Sequence, residues 1–333
     1  MIASVSFHRF KALRATSLKL APFNLVIGAN GSGKTSLIQA VLRLRSLARL
    51  PLAAEPAKAP RRVGGPSIWF KFAAPHAGVE ARLECVSDVA CDLLQVLPPQ
   101  APGWPALQGE IARIRSYLLD HYAMAGGAPT APEGDTVLQG NGANLAATLL
   151  ALRERHPADF AALEAEALRL MPEYTGIELQ RATGGNVTLG LVLGDGEGTV
   201  TAENLSQGSL YLLAILALAF DPNPPSVLCI EEIDRGVHPR VLREVRDAFY
   251  RLSYPQSFGL KRAPVQVIAT THSPYLLDLF RDHPEEVVIA QKHGRASVFE
   301  RLSDRADLAE LLQEGSLGDM WYSGILGGVP DER

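Results

Sequence analysis

The chain has 333 residues, 47% of them hydrophobic and 20% charged, which suffices for one large α/β domain or a domain carrying a sizeable insertion. A formal charge of −4 excludes the wholesale basic coat of many DNA-binding domains, yet residues 1–72 hold twelve Lys and Arg against one acid, Glu55. The three cysteines, Cys85, Cys91 and Cys229, lack metal-ligand spacing and offer no disulfide scaffold, which fits a reduced, cytoplasmic compartment.

Two strands are predicted first, over residues 2–7 (IASVSF) and 17–27 (SLKLAPFNLVI), interrupted by HRFKAL. The opening MIASVSFHRF has polar and basic residues where a signal peptide needs an apolar stretch. A helix begins at about Lys34, with Leu37, Ile38, Val41 and Leu42 on one apolar face. LARLPLAAEPAKAPRRVGGPS reads as a loop, and IWFKFAA and VEARLECV as two further strands. Residues 88–200 differ in composition. GGAPTAPEGDTVLQGNGAN is a long loop, and NLAATLLALRERHPADFAALEAEALRLM is a helix pair broken near Pro157. NVTLGLVL and GTVTAEN return to strand; from Leu205 helix and strand alternate, ending in a helical tail over about 305–327. LYLLAILALAF, residues 210–220, falls short of the roughly 20 residues of a spanning helix and reads as a buried core helix. The expected organisation is an N-terminal half over 1–87, a mainly helical insertion over 88–200 and a C-terminal half over 201–333.

GANGSGKTS, residues 28–36, fits G-x-x-x-x-G-K-[ST] at every fixed position, with an apolar strand before it and an amphipathic helix after it. Glycines let successive N–H groups curl around one anion, and the helix start adds its positive end. Asn30, Gly31, Ser32, Gly33, Lys34, Thr35 and Ser36 are therefore the expected phosphate cradle. Lys34 would reach the β- and γ-phosphates and Thr35 would offer a hydroxyl to Mg²⁺. The implied ligand is a nucleoside triphosphate.

Three signals follow in the second half. SVLCIEEIDRGVHP runs an apolar strand into Glu231 and Glu232, which would serve as a Mg²⁺ acid and a general base. Taken alone, an acidic turn after a core strand is equally ordinary. APVQVIATTHSP ends a strand on Thr270, Thr271 and His272, where a histidine can donate to a γ-phosphate oxygen or serve as a satisfied structural residue. ENLSQGSLYLLAIL sets Ser206, Gln207 and Gly208 at the start of the buried helix. Ser206 is a natural N-cap, and such a helix start is also an anion site, one that need not serve its own chain.

In this order, the phosphate loop, LSxG-like signature, acidic strand end and histidine resemble the ABC-type ATPase superfamily. VIGANGSGKTSLIQAV, NLSQGSLYLLAILALAFDPNPPSVLCIEEIDRGVHP and IATTHSPYLLD are most similar to the prokaryotic AAA-type ATPases related to RecF, SMC and OLD-type proteins. The tail SLGDMWYSGILGGVP is similar to the ending of that group; the resemblance is strong over 1–47 and 200–330 and weaker between. It implies an α/β P-loop NTPase head with a mostly parallel core sheet, an N-terminal antiparallel β part and a helical insertion. It also implies a head-to-tail homodimer, with a higher oligomer left open. ATP and Mg²⁺ would be sandwiched between the phosphate loop of one head and Ser206, Gln207 and Gly208 of the other. Thr35 and Glu231 would then hold Mg²⁺, Glu232 would be the catalytic base, His272 the γ-phosphate switch, and Asp234 would lie near the dimer seam. His238 matches a position in the family's GLHP-like segment.

The chain departs from the pattern in its Glu-Glu pair, where many relatives have Asp-Glu, and in LSQGS, which lacks the second glycine of LSGGQ. Neither Gln39 nor Gln95 makes a convincing Q-loop. No heptad-patterned arm separates the two halves, and the roughly 60 residues after His272 are too few for an appended nuclease domain.

The leading expectation is an ATP-driven switch read by an effector such as a nuclease or toxin, in DNA repair or anti-phage defence, with no membrane partner. That role comes from family analogy. DNA is a further candidate partner for the basic N-terminal lobe. The alternatives are a repair ATPase acting on DNA without a nuclease and a transporter's nucleotide-binding subunit, the latter disfavoured by the signature, the absent Q-loop and the insertion. A metabolite kinase would have no use for LSQG, and a GTPase would carry an N-K-x-D motif, which is absent.

Overall fold

The computed structural model describes residues 1–50, 64–129, 137–182, 184–194, 196 and 198–327. The middle of the first predicted loop, part of the second and the end of the tail motif lie outside the described residues.

The chain opens with β1 (Ile2–Phe10), β2 (Leu13–Lys19), β3 (Phe23–Gly28) and α1 (Lys34–Ala48). There follow β4 (Ser67–Phe72), β5 (Glu80–Cys85), β6 (Cys91–Leu97), α2 (Trp104–Ala112), β7 (Arg115–Tyr117), α3 (His121–Ala125) and β8 (Ala128–Pro129). The helix pair is α4 (Leu145–Arg155) and α5 (Pro157–Leu170), with the predicted break at Pro157, where a proline fits the first helical turn. Next come β9 (Tyr174–Arg181), β10 (Asn186–Leu193), β11 (Thr199–Thr201), α6 (Gln207–Ala219), β12 (Val227–Ile230) and α7 (Leu242–Ser253). The chain ends with β13 (Gln266–Thr270), α8 (Pro274–Asp278), β14 (Val287–His293), β15 (Ala296–Arg301), α9 (Leu308–Glu314) and α10 (Leu317–Tyr322).

One compact unit comprises Met1–Ser116, Pro225–Ile230 and Lys261–Arg333. It contains an antiparallel sheet in the order β2-β1-β4-β5-β6 and a second sheet in the order β15-β14-β3-β13-β12-β7. In the second sheet β14, β3, β13 and β12 pair parallel, and β15 is antiparallel to β14. Every residue of β3, β12 and β13 is buried, as strands covered on both faces require. Helix α1 joins the two sheets. Its Leu37, Ile38, Val41 and Leu44 share one core with Val5, Phe7, Ile68 and Phe70 of the first sheet and Val227, Ile268 and Val288 of the second. Fully burying such a side chain stabilises by about 2 kcal/mol. The amide of buried Gln266 ties the sheets further: Oε1 accepts from Ile2 N at 2.9 Å and Nε2 donates to Ile2 O at 2.9 Å.

The other unit comprises Tyr117–Pro224 and Glu231–Leu260. Its β10 pairs antiparallel with β8, β9 and β11. Helix α6 is buried at every residue from Ser209 to Ala219, because its sequence is apolar on all faces, and it touches α3, α4, α5 and α7. Among the described residues no helix is long and apolar enough to cross a membrane.

The structure corrects three local expectations. Strand β1 continues through His8 and Arg9 to Phe10, and HRFKAL interrupts it only at a short turn. Arg9 (φ 53) and Lys11 (φ 51) take left-handed backbone there, and the exposed His8 and Arg9 obscure an inward face made by Val5, Phe7 and Phe10. Residues 91–97 form an edge strand, β6, paired with β5. That pairing sets Cys85 opposite Cys91, and the two form a disulfide, contrary to the expected absence of one. Their spacing in sequence carries no information about this cross-strand register. Cys229 is free and buried.

Candidate functional site

In the first unit, β3 runs into residues 29–33 and then α1. Gly31 (φ 75) and Gly33 (φ 102) hold the left-handed conformations that let the backbone turn back on itself. A methyl on Gly28 would lie 2.5 Å from Ala290 O of β14, so the loop's first residue is fixed by contact with its neighbouring strand. Helix α1 starts at Gly33 with no side-chain cap and no acid in its first turn. Lys34 is 9% exposed, and its Nζ donates to Gly28 O at 2.7 Å and Ala29 O at 3.0 Å. Asn30, Gly31 and Thr35 are exposed and Ser36 is half-buried. The Ser32 hydroxyl is buried and has no hydrogen-bond partner. Curled backbone, an ammonium folded into the loop and an orphaned hydroxyl form a donor set suited to a phosphate chain. The residues fit a nucleoside triphosphate.

The same unit places His272 by strand register. Thr270 of β13 pairs with Val26 of β3 in parallel, so position 272 is level with Gly28 at the carboxyl ends of adjacent strands. Thr271 is fully buried and its N–H donates to Val26 O at 3.3 Å, while His272 is exposed. Ser273 caps α8 by accepting from Leu276 N at 3.2 Å. Strand β12 ends beside β13 with Ile230 level with Ala269. Glu231 and Glu232 follow at once in the chain and are counted in the second unit.

There, Glu231 is half-buried and its N–H donates to Tyr117 O at 2.9 Å. Glu232 is exposed and has φ 52, an uncommon conformation for a residue with a side chain. Arg235 N donates to Glu232 O at 2.9 Å, and the two side chains form an ion pair at 3.6 Å. The predicted cap is present: Ser206 Oγ accepts from Ser209 N at 3.1 Å. A methyl on Gly208 would lie 2.9 Å from Gly236 O, and one on Gly236 (φ 69) would lie 2.7 Å from Gln207 Cγ. His238 Nδ1 accepts from Arg240 N at 3.2 Å and caps a short 3₁₀ turn.

The first unit therefore brings together residues 28–36 and His272, and the second brings Ser206, Gln207 and Gly208 against the segment that follows the acidic pair. Sequence reasoning missed Arg235, Gly236 and Tyr211. Tyr211 is 2% exposed; burial pushes its phenol up, its hydroxyl donates to Leu119 O, and it is hydrogen-bonded to the Gln207 side chain. The available signal was spacing: Glu232 and Arg235 are three apart, and Gln207 and Tyr211 are four apart on one helix face. Gln39, rejected as a Q-loop residue, accepts from Lys11 Nζ on the first unit's surface, and Gln95 lies in β6 opposite Arg82.

A family model described as "AAA domain, putative AbiEii toxin, Type IV TA system" matches residues 132–278. The match takes in the signature, the acidic pair and His272 but begins beyond the phosphate loop, which stands as a separate observation. No curated protein matches in sequence. The fold is similar to that of an SMC head bound to the C-terminal winged-helix domain of ScpA, at TM-score 0.60 and 15% identity over 90% of this chain and 96% of that one. It is also similar to a Pyrococcus furiosus Smc head with an extended coiled coil bound to the C-terminal domain of ScpA, at TM-score 0.56 and 13% identity over 94% and 99%. A Pyrococcus yayanosii Smc head with a coiled coil and joint gives TM-score 0.54 and 11% identity over 94% and 99%. The family model over residues 132–278 and the SMC-head fold of the similar structures agree with the resemblance read from the sequence.

Proposed function

We propose that this chain hydrolyses ATP with Mg²⁺ at a head-to-tail homodimer interface and passes the resulting open or closed state to an effector protein. The observation that carries the reading is the loop at residues 28–36, where left-handed glycines, the folded-in Lys34 and the uncapped start of α1 converge. Lys34 holds phosphate oxygens, supported by Asn30, Gly31, Ser32, Gly33 and Ser36. Thr35 and Glu231 hold Mg²⁺, which when bound offsets the negative charge of the phosphates. Glu232 accepts the proton of the attacking water, and His272 donates to the γ-phosphate. The left-handed backbone of Glu232 supports its assignment, since strain of this kind clusters at functional sites. Ser206, Gln207 and Gly208 face the nucleotide of the second chain.

Two of the three SMC heads among the similar structures are bound to ScpA domains, and the matched family model is described with a toxin-antitoxin system. Both support a protein effector, such as a nuclease or toxin, in anti-phage defence or DNA repair. Light scattering on Glu232→Gln tests the central claim. With ATP and Mg²⁺ this variant should release no phosphate and accumulate as a dimer. A variant that binds ATP and stays monomeric overturns the head-to-tail reading.

A further inference from the structure

The segment after the acidic pair packs closely against the start of α6. Gly236 has room only for hydrogen where Gln207 packs on it, and Gly208 has room only for hydrogen where Gly236 O packs on it. Gln207 is hydrogen-bonded to Tyr211, and Tyr211 is anchored through its hydroxyl on Leu119 O. Arg235 and Glu232 both lie within electrostatic reach of that buried phenol. A shift of the α6 backbone at Gly208 would press on Gly236 O, and the Gln207 side chain lies over the same turn.

We propose that Arg235 is a positioning residue for the Glu232 carboxylate, linked through Gly236, Gln207 and Tyr211 to the signature end of α6. The inference rests on the reading of Glu232 as general base. The Arg235–Glu232 pair bridges a turn whose first residue is already held at φ 52, and it fixes the direction of the carboxylate that the backbone presents. Both side chains are about half exposed, at 42% and 50%, so the pair adds little to the stability of the fold. Its consequence is geometric. The contact between Gln207 and Gly236 sets the signature end of α6 beside the turn that carries the pair.

The test is steady-state ATP hydrolysis by the full-length protein, with nucleotide affinity and melting temperature measured in parallel. Arg235→Ala should lower kcat ~10- to 100-fold, the scale of a misplaced catalytic group, with KM and Tm unchanged. Arg235→Lys should restore most of that loss. Tyr211→Phe, which cuts the link to Gln207 and leaves the carboxylate untouched, should lower kcat by a smaller factor. The double variant should fall no further than Arg235→Ala alone, because the two act in series. A kcat for Arg235→Ala within about twofold of the parent, a loss matched by a fall in Tm, or multiplying losses in the double variant each overturn the proposal. Glu232→Gln separates the two levels. If it hydrolyses ATP at the parental rate, the general-base reading fails and takes this inference with it. If it is inactive while Arg235→Ala is unimpaired, only the inference fails.

Discussion

Helices α1 and α6 both begin at a Ser/Gly-rich turn, yet they begin differently. Helix α1 starts at Gly33, left-handed at φ 102, with no side-chain cap, whereas α6 starts at Ser206, extended at φ −61 and ψ 150, whose Oγ accepts from Ser209 N. A helix start presents N–H groups that its own turns cannot satisfy. Ser206 answers that requirement for one of those groups, Ser209 N, and contributes about 1 kcal/mol in doing so. At α1 no side chain takes that part, and the glycines and Lys34 shape the turn for an anion. The lesson is that similar composition serves two ends. One helix start is left without a side-chain cap behind a loop of left-handed glycines, and the other carries its own serine cap.

The largest expected effect falls on the uncapped start. Lys34→Ala should lower ATP affinity ~100-fold or more, since charge-assisted hydrogen bonds are the strong ones, and equilibrium titration with a fluorescent nucleotide reads it. An intact affinity would break the comparison outright. Ser206→Arg comes next: it should block hydrolysis while single-head ATP binding stays near the parental value. Equal loss of both would make Ser206 a local cap with no role for a second chain. The smallest effect is that of Ser206→Ala, which should cost about 1 kcal/mol in a denaturant titration. A null result there would remove the stabilising half of the contrast.

What was legible in the sequence was whatever depends on neighbours in the chain. The phosphate loop, the face of α1, the break at Pro157, the Ser206 cap and the buried α6 all follow from local spacing, and all are in the structure. What was hidden depends on partners far along the chain. Strand β6 is defined by its ladder with β5, and the Cys85–Cys91 bond exists because that ladder sets the two residues opposite each other. Arg235 carries no motif of its own. The three-residue spacing from Glu232 marks the pair, but its interest comes from a turn closed on Glu232 and a glycine pressed against Gln207, which depend on the fold.

The phosphate loop's glycines also differ in how freely they could drift over evolutionary time. At Gly31 no atom of the described chain lies within 4 Å of an added methyl, so within the protein only its φ of 75 resists change. At Gly28 the obstacle is the backbone of Ala290, which no side-chain adjustment removes. Gly33 combines a φ of 102, at which a side chain is strained whatever the space, with a methyl position 2.9 Å from Leu13 Cδ2. Within one motif, one position is guarded by its own φ, one by a neighbouring backbone atom, and one by both its φ and a neighbouring side chain.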